Sequence, residues 1–189
     1  MSENHFNNAP SHNGIVEVIC GSMFSGKTEE LIRRVNRVLL AKKNVKIFKP
    51  ALENRYSSTA VVSHNKTSVP AIAVHQPAEI VQHTLGADVV AIDEAQFFDA
   101  ALITVCRELA AKNIRVIVAG LDMDYKGDPF GPMPQLLAIA DQVTKLHAIC
   151  IECGNLANFT HRLNAEEELV VLGEKDKYTA LCRVCYNQK

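Results

Sequence analysis

No stretch of this 189-residue sequence approaches the ~20 consecutive apolar residues that a membrane-spanning helix needs. A membrane partner is therefore not expected. Excess basic charge is missing too: 20 Lys and Arg face 21 Asp and Glu, a formal net charge of −1. A protein built to neutralise a nucleic-acid backbone is normally basic, so nucleic acid is not the expected partner. Internal repeats and low-complexity tracts are absent. The opening residues, MSENHFNNAPSHNG, have neither a basic start nor an apolar core, and read as neither a signal nor a transit peptide. Residues 1–13 are expected to form a flexible tail, and the chain to reside in the cytoplasm. There the six cysteines should stay reduced or bind metal.

What is present is ordinary for a globular domain: 48% hydrophobic and 22% charged residues. Strands are expected at 15–20, 44–50, 69–74, 87–98 and 114–124. Helices are expected at 28–42, 77–85, 99–112 and 135–141, the first with Leu31, Val35, Val38 and Leu39 on one face. Residues 142–150 read as extended, 168–173 as a short strand, and the polar run 51–68 as a surface loop or hairpin. Alternating strands and helices with nearly continuous apolar strands predict an α/β fold, a mainly parallel sheet covered on both faces. The domain plan is a tail at 1–13, an α/β domain at 14–146 and a small cysteine-bearing domain at 147–189.

After the first strand stands GSMFSGKT, residues 21–28, which matches the phosphate-binding loop pattern between a strand and a helix. Gly21 and Gly26 let backbone N–H groups turn toward phosphate oxygens, and the helix N-terminus adds its positive dipole end. Lys27 should reach the outer phosphates of ATP, and the Thr28 hydroxyl should bind Mg²⁺. The fourth strand ends in Asp93 and Glu94. Asp93 suits the second Mg²⁺ ligand, and Glu94 lies where a base could face an acceptor. The pair alone does not say whether that acceptor is water, as in a motor ATPase, or a substrate alcohol.

Cys150-x₂-Cys153 and Cys182-x₂-Cys185 form two matched knuckles separated by 28 residues. Four thiolates suit tetrahedral Zn²⁺ with no open position, hence a structural site. Cys20 and Cys106 lie in apolar contexts and read as core residues.

The marks GSMFSGKTEEL, NRYSS, DEAQFF, GLDMDYKGDPFG and GEKDKY followed by CRVCY, in this order, resemble the zinc-containing thymidine kinases across residues 14–187. The resemblance implies a P-loop NTPase-like (RecA-like) domain with a C-terminal zinc-knuckle lasso, and ATP-dependent phosphorylation of the 5′-hydroxyl of thymidine or deoxyuridine. It makes Glu94 the general base. It puts Gly21, Ser22, Met23, Phe24, Ser25, Gly26, Lys27, Thr28, Arg55, Asp93, Glu94, Ala95 and Gln96 around the phosphates. It lines the thymine pocket with Met23, Phe97, Leu121, Tyr125, Phe130, Thr160 and Tyr178, plus the backbone of Val170, Val171, Leu172, Gly173 and Glu174. Tyr125 stands where some relatives carry Phe, and Arg162 is a weaker candidate for holding the site together. Phe24, without an assigned ligand, is expected to pack the loop against the sheet. A homotetramer and feedback inhibition by dTTP complete what the resemblance implies. The competing readings are an ATPase that handles nucleic acid through a zinc ribbon, and an interaction protein that binds ATP without turnover.

Overall fold

The structure, a computed structural model, describes residues 14–51, 60–62, 68–163 and 177–189. Arg55, residues 170–174, the expected tail and the expected strand at 168–173 lie outside the described residues. In chain order the first elements are β1 (Val16–Cys20), α1 (Lys27–Leu40), β2 (Val45–Pro50), β3 (Ala60–Val62), β4 (Ser68–Pro70), β5 (Ile72–Val74) and α2 (Pro77–Gln82). Then come β6 (Val89–Ile92), a 3₁₀ turn (Ala95–Phe97), α3 (Ala101–Ala111), β7 (Arg115–Gly120), α4 (Met133–Ile139) and β8 (Gln142–Lys145). Six strands form one sheet in the order β5-β2-β6-β7-β1-β8, and every pairing in it is parallel.

Strand parity sorts the core into two layers. Val16, Val18 and Cys20 of β1 face α2, α3 and α4, with Phe48, Ile92 and Val118 beside them. Ile19 faces the opposite way, onto Leu31, Ile32, Val35 and Val38 of α1. Burial on both faces is why these strands read as unbroken apolar runs. The apolar face of α1 keeps its expected direction but includes Ile32, which is buried, and fades at Leu39, which is half exposed. Position 39 lies on the same side of a 3.6-residue helix as 31, 32, 35 and 38, and its exposure comes with its place in the last turn of α1.

Several expected elements are shorter or divided; the strand expected over 114–124 ends at Gly120 and the helix expected over 77–85 at Gln82. The strand expected over 87–98 stops at Ile92, because Glu94 adopts a left-handed conformation (φ 52°) and the 3₁₀ turn follows. The strand expected over 69–74 divides: β4 pairs with β3 in a hairpin, and β5 joins the main sheet. The extended stretch 142–150 also divides, since β8 pairs with β1 while β9 (Ala148–Ile149) pairs with β10 (Leu156–Ala157). Beyond β10, β11 (Phe159–Arg162) pairs with β12 (Tyr178–Leu181), and α5 (Arg183–Tyr186) ends the fold.

One charge sits inside the α1 layer. Glu17 is 3% exposed and accepts hydrogen bonds from Arg34 (2.6 Å) and bidentately from Arg115 (2.6 and 3.1 Å). Arg34 also binds Glu30 and Thr144. Hydrogen bonds from Arg33, then Arg34, hold the Glu30 carboxyl down to about 2. Glu17, Arg33, Arg34 and Arg115 line a cavity of about 600 Å³ near the strand starts, and their charges are largely spent on one another and on Glu30. Removing one member of a buried ionic network leaves the others buried and uncompensated, at about 3–5 kcal/mol. Arg115 keeps some water access, so Glu17→Ala should lower the unfolding free energy by about 3 kcal/mol, read from urea titration. A loss under about 1 kcal/mol would mean the guanidiniums resolvate freely.

Candidate active site

The loop 21–28 leaves β1 in a path only glycine permits at its first residue. Gly21 has φ 145°, and a Cβ there would lie 2.3 Å from the Leu146 carbonyl oxygen. Gly26, left-handed at φ 85°, leads directly into α1 at Lys27. The Lys27 ammonium donates to the Ser22 carbonyl oxygen at 2.8 Å. Burial lowers its pKa, and the nearby Glu94 and Asp93 oppose that. The Ser25 hydroxyl is buried with no hydrogen-bond partner among the described residues. An orphaned hydroxyl and a lysine folded back on its own loop fit a cradle whose proper partner is a phosphate.

Asp93 lies past the end of β6, and β7 separates that strand from β1. The gap is closed by side chains: the Thr28 hydroxyl donates to Asp93 Oδ2 at 3.2 Å. Burial, then the charge of Glu94, raises the Asp93 carboxyl to about 7. A buried acid held against a hydroxyl and a second carboxylate fits a hard divalent cation such as Mg²⁺, which takes oxygen ligands.

Glu94 is held in its left-handed conformation by what surrounds it. Gln96 donates to its carboxylate at 2.5 Å and, through the other end of the same amide, accepts from the Leu121 backbone N–H at 3.0 Å. The crossing needs Gly120 at the end of β7, where a Cβ would lie 2.9 Å from the Gln96 amide oxygen and 2.7 Å from the Met133 sulfur. Ala95 buries its methyl in the core below. Gln96 thus fixes the carboxylate and the start of the next loop together.

That loop, 121–131, is a compact turn. Asp124 accepts from the backbone N–H groups of Lys126 and Asp128, and Met123 bridges to Pro129. Phe130 meets Phe97 edge to face, with centroids 5.7 Å apart, whereas Phe98 goes into the core. Tyr125 stacks under the Arg162 guanidinium at 3.7 Å, and Arg162 donates to the Tyr178 hydroxyl at 2.8 Å. Arg162, given little weight from sequence, is buried and joins two expected pocket walls. Thr160, two residues earlier on β11, accepts from the Met23 backbone N–H at 3.0 Å. Met23, Thr160, Tyr125 and Tyr178 therefore converge, with Leu121, Phe97 and Phe130 reached through Gln96 and its turn. Phe24 departs from expectation. Its ring lies against the cluster of Ala148, Cys150, Ala157, Ala180, Leu181, Cys182 and Cys185, not against the sheet.

Sequence reading missed Asp122 and Lys145. Their ion pair (2.7 Å) sits at the exits of β7 and β8, and Asp122 Oδ1 is buried without a hydrogen-bond partner among the described residues. The signal was available: an acid directly after a buried strand, the same rule that picked out Asp93.

The sulfurs of Cys150, Cys153, Cys182 and Cys185 all lie within 4.8 Å of one another, with Cys153 and Cys182 3.6 Å apart. Four sulfurs at the ~2.3 Å bond length of zinc stand about 3.8 Å apart at tetrahedral corners, so the residues fit Zn²⁺. Backbone N–H groups, that of Cys182 first, lower the Cys150 thiol to about 6, while the Cys153 and Cys182 sulfurs push Cys185 up. Crowded thiols that cannot all ionise alone are the state a cation relieves. Cys20 and Cys106, raised by burial to about 11 and about 12, are core residues as expected.

The family model for thymidine kinase matches residues 14–186. The chain belongs to the thymidine kinase family. The thymidine kinase of Bacteroides thetaiotaomicron is 57% identical over 186 residues, covering 98% of this chain and 93% of that one. That of Porphyromonas gingivalis is 53% identical over 175 residues, covering 93% and 86%. Among solved structures, the flagellar accessory protein FlaH of Methanocaldococcus jannaschii superposes with a TM-score of 0.52 at 13% identity, over 77% of this chain and 76% of that one. The likeness to FlaH concerns the fold alone, a P-loop NTPase-like sheet. Among the described residues no helix is long and apolar enough to cross a membrane.

Purified protein should carry about one zinc per chain by atomic emission. Cys182→Ser should reduce that to near zero, and Cys106→Ser should leave it unchanged. Full zinc retention in Cys182→Ser would remove this residue from the ligand set.

Proposed function

We propose that this chain transfers the γ-phosphoryl group of ATP to the 5′-hydroxyl of thymidine, accepting deoxyuridine as well. The observation that carries the reading is the arrangement around Glu94. Its carboxylate is anchored by Gln96, one residue beyond the Asp93–Thr28 contact and between the glycine loop and the aromatic turn. Lys27, the orphaned Ser25 hydroxyl and the loop N–H groups would bind the phosphates of ATP. Thr28 and Asp93 would hold Mg²⁺, which when bound neutralises phosphate charge. Glu94 would take the proton of the 5′-hydroxyl as that oxygen attacks the γ-phosphorus and ADP leaves. The αL strain at Glu94, about 1–2 kcal/mol for a residue with a side chain, is of the kind found where a functional group must be aimed.

Phe97, Phe130, Leu121, Met23, Tyr125 and Tyr178 would form flat apolar walls for the thymine ring, and backbone groups would read its edge. Arg55 and residues 170–174 would close the site, which has to exclude water if the phosphoryl group is to reach an alcohol. In this reading residues 14–146 are the ATP-binding unit and 147–189 a zinc-held lasso. A homotetramer, dTTP as feedback inhibitor and a cytoplasmic location belong to the same proposal.

The assay is phosphate transfer from ATP to thymidine, with deoxycytidine and single-stranded DNA as comparators. ATP hydrolysis stimulated by DNA, with no thymidine monophosphate formed, would replace this reading by the nucleic-acid ATPase. Glu94→Gln should keep ATP binding and lose about a hundredfold or more in kcat, because the amide cannot accept the proton. Gln96→Leu should cost about tenfold in kcat, the worth of one hydrogen bond to a charged group, with little change in KM for ATP. Near-normal kcat in either variant would refute the role given to that residue.

A further inference from the structure

The glycine loop is held from outside the sheet. Three consecutive residues of it contact the cysteine-bearing segment, each by a different kind of interaction. The Ser22 hydroxyl donates to the Ala157 carbonyl oxygen at 3.4 Å. The Met23 N–H donates to the Thr160 hydroxyl. The Phe24 ring packs on the cluster that contains Cys150, Cys182 and Cys185. Phe24 does so from φ 64°, a left-handed conformation that strains a residue with a side chain. Glycine would hold that backbone at no such cost. A bulky aromatic kept at a left-handed position is explained if its ring is needed where that backbone sends it.

We propose that Phe24 is a positioning residue through which the zinc-bound cysteine segment sets the conformation of the phosphate loop. Zinc, by this account, governs affinity on the ATP side as well as order in the lasso. The geometry gives the reason. Within the loop Lys27 donates to the Ser22 carbonyl oxygen, while Ser22, Met23 and Phe24 reach outward to the cysteine-bearing segment. Met23 and Phe24 are anchored to β10–β12 and α5, whose packing centres on four sulfurs. Crowded sulfurs without a cation repel or rearrange, and the surface that meets Phe24 moves with them. The inference rests on the ATP reading of the loop for its functional consequence, but the mechanical link can be measured without nucleotide.

The test combines two substitutions with two readouts on the full chain. Phe24→Gly removes the ring and relieves the backbone, whereas Phe24→Leu keeps an apolar side chain and the strain. The first readout is hydrogen exchange at the Met23 amide in the zinc-loaded protein without nucleotide. It should speed about tenfold or more in Phe24→Gly and stay near wild type in Phe24→Leu. The second is affinity for a fluorescent ATP analogue with Mg²⁺, before and after chelation of zinc. Wild type should weaken about tenfold on chelation. Phe24→Gly should start about tenfold weaker and change little further, because coupled perturbations do not add. Tighter nucleotide binding and unchanged amide exchange in Phe24→Gly would overturn the proposal, leaving the ring as a strained ornament. Additive effects of substitution and chelation would overturn it too. If wild type binds no ATP analogue, the phosphate reading fails and the amide exchange alone decides the positioning role. If chelation unfolds the sheet, the zinc-loaded comparison of Gly with Leu decides it.

Discussion

A parallel sheet buried on both faces leaves charge only the ends of its strands. In this molecule the constraint is almost fully expressed. Between Val16 and Cys20 the one polar side chain is Glu17, near the strand start, and it requires Arg34 and Arg115 to be there. At the other end Asp93, Asp122 and Lys145 follow β6, β7 and β8 or close them, and Lys27 arrives from the loop after β1. The chemistry gathers where parallel strands end because the N–H and C=O groups of the inner strands are already spent on their neighbours.

Putting those charges close together creates tension the protein alone does not resolve. Lys27 faces Glu94, Asp93 and Asp122, while Lys145 pairs with Asp122. Burial pushes the Asp93 carboxyl up and the Lys27 ammonium down, so each group is pressed toward its neutral form. A divalent cation and a polyanion entering together would satisfy both sides. The cysteine cluster repeats the pattern with sulfur, and the remedy there is one cation with a closed coordination shell. Asp93 and Lys27 disfavour their charged forms when alone, and the crowded thiols cannot all ionise together, so ligand and metal binding would feed into stability as well as function.

The sheet was legible because its signals are local. An apolar run, a glycine loop and a helical period each occupy one short window, and the two x₂ knuckles announce a metal by spacing alone. Other features failed for reasons of the same kind. Leu39 keeps the helical period yet is half exposed in the last turn of α1, because periodicity marks a face and not how far along the helix that face is covered. The early end of β6 is decided by a left-handed Glu94, and only the Gln96 crossing over Gly120 explains it. That crossing joins residues 25 apart, so no window contains it. Arg162 was undervalued because a buried arginine is rare and its two aromatic partners lie on a distant loop and the neighbouring strand. Phe24 was sent to the sheet because the sheet was the only apolar surface the reading could see beside the loop.

The position of Phe24 also bears on why a small C-terminal segment stapled by four sulfurs belongs beside this sheet at all. Its two hairpins are too short to hold a core of their own, and the buried cluster there includes three of the cysteines themselves. A structural metal supplies the cohesion such a segment lacks. The segment meets both the glycine loop and the aromatic turn. Thr160 and Phe24 link it to the phosphate loop, while Arg162 and the Tyr186 hydroxyl, which donates to the Tyr125 carbonyl at 2.8 Å, link it to the aromatic turn. The same strand, β11, carries Thr160 and Arg162 on one face, two residues apart. In the proposed reading, donor and acceptor sites would thereby be registered to each other through a single strand and not through two separate loops. Phosphoryl transfer depends on the reacting atoms being held in line to within a fraction of an ångström. A common backing for both sites meets that demand with the least structure.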